Sequence, residues 1–166
     1  CEDISGVSAS QVEMNSGLQF YNDITTNDIQ QILIKSAADL ISLDYPNYQY
    51  VAARLLLYSL RKKVIGRLWD HPHIFDHVKK AVDKNVYDKQ ILEKYQRKDF
   101  DRMENWINHE RDYTFTYAGL RQVLDKYLVQ DRSSGEIFET PQFMYMMIAA
   151  TVFADYPKEK RMTYVK

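Results

Sequence analysis

Three groups of residues in this chain have types and spacings that could do chemistry. His71-x-His73, with His77 four residues beyond His73, has the spacing of metal ligands, because residues four apart share a helix face. No Cys or Glu completes a ligand set, so the plainer reading is a group of solvated histidines near a helix start. His109-Glu110-Arg111-Asp112 sets acids beside a histidine, ahead of the aromatic run Tyr113-Thr114-Phe115-Thr116-Tyr117, and could move protons. No nucleophile or phosphate loop accompanies it, which favours an ion-pair knot fixing a helix end against an aromatic segment. The third group is Thr26 and Lys62. Thr26 falls at a helix N-terminus, where free amides and the dipole attract anions, and Lys62 falls near the end of the next long helix. An antiparallel return would let the two cradle a phosphate; the bland alternative is a capping threonine and a solvated lysine.

Catalysis has no visible machinery. G-x-x-x-x-G-K-[ST], G-x-G-x-x-G and G-x-S-x-G are all missing, and Cys1 is the only cysteine. No catalytic residue and no metal ligand set is therefore assigned. The same lone cysteine offers no intrachain disulfide and no sign of an oxidising compartment. No apolar run approaches the roughly 18 residues of a membrane span, so the expected compartment is the cytoplasm. Lys plus Arg number 22 against 23 Asp plus Glu, which leaves no basic surplus for nucleic-acid phosphates.

The elements that must position these groups are helices. With five Gly and four Pro in 166 residues, breakers are few. A capping box at Ser10-Gln11-Val12-Glu13 predicts a first helix from Ser10 to about Tyr21. Thr25-Thr26-Asn27-Asp28 predicts a second, with Ile29, Ile32, Leu33, Ala37, Leu40 and Ile41 on one buried stripe, ending before Asp44-Tyr45-Pro46. A third runs from about Asn47 to Gly66, with Arg61-Lys62-Lys63 near its C-terminal dipole. After a connector from Gly66 to Pro72, helical patterns cover His73–Lys84, Asp88–Tyr95, Lys98–Arg111 and Tyr117–Lys126. One β-hairpin is expected at about 126–139, from Lys126-Tyr127-Leu128-Val129-Gln130 and Glu136-Ile137-Phe138-Glu139 around Asp131-Arg132-Ser133-Ser134-Gly135. A helix opening at Pro141 should run to about Ala154. The chain begins with Cys and meets helical pattern almost at once, which reads as a start inside a larger protein.

Several runs resemble one family. They are Asp23-Ile24-Thr25-Thr26-Asn27-Asp28-Ile29-Gln30, Lys35-Ser36-Ala37-Ala38-Asp39-Leu40-Ile41-Ser42 and Tyr45-Pro46-Asn47-Tyr48-Gln49-Tyr50-Val51-Ala52-Ala53-Arg54. Leu60-Arg61-Lys62-Lys63, His109 to Tyr117, Lys126 to Gln130 and Gly135 to Glu139 continue it. Together they resemble the large (α) subunit of class Ia ribonucleoside-diphosphate reductases over essentially the whole chain.

The resemblance implies a mainly α fold in two parts. Residues 1–67 would be the latter part of an ATP-cone, and residues 68–166 a helical segment, with its one hairpin, leading toward a catalytic barrel. It implies ATP or dATP as allosteric effector, with Thr26 and Lys62 on the effector's phosphates. Gln30 would stand nearby, where cellular members carry His, a change that would weaken ATP/dATP discrimination and fits a viral member. The cone's opening hairpin, the reactive cysteines and the radical-transfer residues of the family are not in this sequence, so it reads as a fragment or one chain of a split subunit. The implied partners are the rest of the large subunit, a second copy of the intact chain in a homodimer, and the small radical subunit, with no nucleic acid and no membrane. The competing reading is a helical protein-interaction module without nucleotide binding, supported by an aromatic content of 13%.

Overall fold

Side-chain hydroxyls set the helix starts in the first part of the chain. In the computed structural model, which describes residues 3–166, the Ser8 hydroxyl accepts the Gln11 amide at 3.4 Å and opens α1 (Ala9–Gly17). The start expected at Ser10 thus lies one residue earlier, on a different cap. The helix also stops short of Tyr21, because Gly17 is a poor helix former and the Gln19 amide caps the Asn15 carbonyl. α2 (Thr26–Asp39) is capped by Thr25, whose Oγ1 accepts the Asp28 amide at 3.1 Å. α3 (Tyr48–Ile65) ends where Gly66 turns left-handed at φ 76°. Cys1, the lone cysteine, lies outside the described residues.

The chain packs as two compact units. The first comprises Cys1–Leu60 and Asp112–Lys126, and the second Arg61–Arg111 and Tyr127–Lys166. In the first, Val12, Ala37, Tyr48, Val51 and Ala52 form one buried cluster. The Tyr48 hydroxyl donates to Gln11 Oε1 and accepts the Ser8 amide, each at 3.0 Å, which fastens the start of α1 to α3. Ile34, Leu56 and Leu57 form a second cluster with Leu120. Leu120 comes from α7 (Tyr117–Gln122), opened by Thr116 and continued by a π-helical turn at Val123–Tyr127.

The second unit is built around α8 (Pro141–Val152), with Pro141 at its first turn. Phe143, Met147 and Ala150 of α8 pack with Ile74 and Val78 of α4 (Ile74–Asp83). Ile91 of α5 (Gln90–Lys94), Phe100 and Met103 of α6 (Arg97–Glu104), and Met162 of α9 (Lys158–Val165) complete the cluster. The sequence analysis did not foresee α9. Its Arg161 is nearly buried, donates to the carbonyls of Lys94 and Tyr156, and lies 5.0 Å from the Tyr95 ring. The helix expected over Lys98–Arg111 divides into α6 and a 3₁₀ helix at His109–Thr114.

The hairpin expected at about 126–139 shrinks to one antiparallel bridge, Gln130 to Ile137. Lys126 and Tyr127 instead complete the π-helical turn. The Asp131 carboxylate gathers the Ser133 amide and the Ser133 and Ser134 hydroxyls, and Gly135 closes the turn at φ 72°. Beyond the bridge, the Val129 amide donates to the Glu139 side chain at 2.9 Å rather than to a partner strand. Glu139 is 2% exposed, and burial holds its carboxyl above the usual range. The Tyr87 hydroxyl donates to its other oxygen. Tyr87→Phe strips that buried carboxyl of a donor and is expected to destabilise the fold by about 1–3 kcal/mol, read from the urea midpoint.

Candidate functional site

The start of α2 is where the sequence places an anion site, and local hydrogen bonding has already shaped it. Asp28 Oδ2 accepts the Thr25 hydroxyl at 2.7 Å and the Tyr21 hydroxyl at 3.3 Å. A carboxylate thus lies beside the first turn, where it favours the helix dipole. Thr26, the first helical residue, is exposed. Gln30 lies one turn further along the same face of α2, and its amide nitrogen donates to the Leu55 carbonyl of α3 at 3.0 Å. Thr26 and Gln30 therefore share a helix face, and Gln30 ties α2 to α3. Lys62 belongs to the second unit. It is exposed in the last turn of α3, seven residues beyond Leu55 and so on the same face of that helix.

The structure scatters the three histidines of the metal-like spacing into different roles. His73 caps α4 by accepting the Phe75 amide on Nδ1 at 3.1 Å, and its Nε2 lies 3.3 Å from Asp101. The Ile74 amide donates to Glu104 at 2.8 Å. His71 stacks on His109 with ring centroids 3.5 Å apart, and His77 stacks on Phe143 at 4.4 Å. Among the described residues, no group of three His, Cys, Asp or Glu side chains is placed to hold a metal ion. Nor are these histidines merely solvated: His77 is 8% exposed. It occupies the apolar stripe of α4 with Ile74, Val78 and Ala81, a position that helical spacing alone could have revealed.

Arg61, 1% exposed, donates to the His109 carbonyl at 2.7 Å, and the His109 ring meets the edge of Phe143. Burial, reinforced by the neighbouring Arg61 charge, pushes His71 down to about 4. Burial with the Lys80 charge brings His77 to about 4, and burial with His71, Arg61 and His77 brings His109 to about 3. Neutral imidazoles beside a fixed guanidinium serve packing.

No helix among the described residues is long and apolar enough to cross a membrane. Comparison with known proteins agrees with the helical architecture. The ribonucleotide reductase all-alpha domain matches residues 113–166. The chain is 51% identical to ribonucleoside-diphosphate reductase subunit alpha of Haemophilus influenzae over 99% of its own length and 22% of that protein's. It is 50% identical to ribonucleoside-diphosphate reductase 1 subunit alpha of Escherichia coli, with the same coverage. Against the subunit alpha of Enterobacteria phage T4 the identity is 41%, over 93% of this chain and 21% of the relative. The chain thus spans about a fifth of the length of the curated relatives it matches. By these matches the chain belongs to the ribonucleoside-diphosphate reductase subunit alpha family, and it corresponds to that family's N-terminal part.

Proposed function

We propose that this chain is the regulatory N-terminal part of a reductase large subunit that converts ribonucleoside diphosphates to deoxyribonucleoside diphosphates for DNA synthesis. It works with the rest of that large subunit, in a homodimer of the intact chain, and with a small radical-bearing subunit in the cytoplasm. The observation that carries this reading is the match over nearly the whole chain to relatives bearing that name. In this proposal residues 1–67 are the latter part of an ATP-cone and residues 68–166 the helical segment toward the catalytic barrel. Catalytic residues are supplied elsewhere.

The effector is ATP or dATP, with Thr26 and Lys62 on its phosphates and Gln30 beside them. The residues suit an anionic effector in part. Thr26 is exposed at a helix start, Lys62 supplies an exposed ammonium, and helix-end amides are natural phosphate donors. Asp28, committed to the Thr25 and Tyr21 hydroxyls, confines the anion to the Thr26 side. Gln30 commits one N–H of its amide to the Leu55 carbonyl, which leaves its second N–H and its oxygen to meet a ligand. In this reading Gln30, a neutral amide, discriminates ATP from dATP less sharply than a histidine would.

Calorimetry with ATP and dATP on the intact subunit tests this. Lys62→Ala should weaken both by about tenfold, the effect of losing one charge-assisted contact of ~1.4 kcal/mol. Gln30→His should widen the gap between the two nucleotides. Binding that ignores Lys62 would sink the phosphate assignment while leaving the family untouched. The competing interaction-module reading would rest on exposed side chains such as Leu18 and Leu43, but these lie on separate connectors, after α1 and after α2.

A further inference from the structure

A second, unassigned pocket lies wholly within the second unit. It has a volume of about 330 Å³ between the end of α3, α4 and the segment around Phe138. Its walls carry Lys63, Arg67, Lys80 and Lys84 against only two carboxylates, Asp76 and Glu136. Both carboxylates are engaged: Glu136 pairs with Lys84 at 2.9 Å, and Asp76 lies 3.6 Å from Arg97, outside the pocket. Arg67 reaches Asp70 only at 3.9 Å. Lys63 and Lys80 therefore leave the pocket with a positive surplus.

The wall between these cations is the imidazole of His77. It is more than nine-tenths buried, and its Nε2 has no hydrogen-bond partner. A buried polar atom without a partner is costly and asks for an explanation. Here a neutral imidazole adjoins a cavity whose charge surplus would attract a compact polyanion. The Nε2 atom itself is sealed from solvent, so the convergence of four cations is what asks for a ligand. Val64, Ile65 and Phe138 supply apolar wall beside these charges.

We propose that this pocket binds the di- or triphosphate group of a small molecule, with Lys63 and Lys80 as its counter-charges and the His77 ring as part of the wall behind them. The site shares no residue with Thr26, Gln30 or Lys62 and does not depend on the effector proposal. His77 supplies a local reporter, because burial and the Lys80 charge now hold it near 4 and a bound anion would raise it toward the ordinary 6.5.

The test is to titrate inorganic pyrophosphate into the full chain while following the His77 ring protons by NMR, with affinity measured by calorimetry at two salt concentrations. Expected are saturable His77 shifts, an upward move of its pKa, and affinity falling as salt rises. Lys63→Gln and Lys80→Gln should each weaken binding about fivefold or more, as expected for losing one near-surface charge contact. Both side chains are exposed, so folding is not at stake. Lys62→Ala should leave the His77 response in place, which separates failure of this site from failure of the effector site. No His77 response, or a response indifferent to both glutamine variants, would overturn the proposal. So would a hexaglutamate peptide that shifts His77 when pyrophosphate does not, since that would make the pocket a protein-docking site.

Discussion

Phe143→Ala is expected to destabilise the second unit by about 3–5 kcal/mol, the usual cost of removing a fully buried aromatic ring. Phe143 is 0% exposed and lies at the centre of the unit's main cluster. Its loss does more than leave a cavity. His77 stacks on this ring, His109 meets it edge-on at 5.1 Å, and His71 approaches it edge-on at 6.5 Å. Three imidazoles with unpartnered buried nitrogens would then line a hole open to water. Urea titration should show a lower midpoint with little change in slope. Phe143→Leu, which keeps most of the volume, should lose far less. Equal losses in the two variants would mean that the site collapses freely around any residue.

The second large effect is acid lability. His71, His77 and His109 are held near 4, 4 and 3 in the folded chain, against about 6.5 when unfolded. Between those values the unfolded state binds more protons than the folded one, so stability rises with pH across that window. The contribution is complete above about 6.5 and is lost as pH falls toward 4. His77 is the most buried of the three and accounts for on the order of 3 kcal/mol of this change. Half-exposed His71 adds less, because solvent screens it. Arg61 opposes protonation of His71 and His109, Lys80 opposes that of His77, and Asp70 weakly favours that of His71. Melting temperatures from pH 7 down to pH 4 should fall steeply in the parent and less steeply in His77→Leu. Parallel slopes in the two proteins would place the acid sensitivity elsewhere.

Helix content was legible because caps and breakers announce themselves. Thr25, Gly66, Thr116 and Pro141 act where their chemistry puts them. The errors came where side chains outside the local window decided the outcome. The hairpin is shorter than expected because Glu139 takes the Val129 amide that a longer ladder would need, a bond not visible in strand propensity. α9 escaped notice because its buried face is mixed, with Arg161 beside Met162 and Val165 in a short segment. Of the candidate site, the positions of Thr26 and Lys62 on their helices could be read from capping and charge. The Gln30 bond to Leu55 could not, since it joins residues 25 apart. Nor could the stack of His71 on His109, for the same reason of distance along the chain.

The interleaving of the two units also bears on synthesis. A ribosome releases α2 and α3 early, yet Leu120, which completes their second cluster, arrives only after all of Arg61–Arg111 has emerged. Until then the face formed by Ile34, Leu56 and Leu57 is uncovered, and a nascent chain in that state is a natural client for holdase chaperones. Closing a loop of more than sixty residues is also slow compared with forming the helices themselves. Truncations ending before Leu120 should therefore yield helical but poorly packed, aggregation-prone products, whereas cuts beyond Lys126 should leave the first unit able to close.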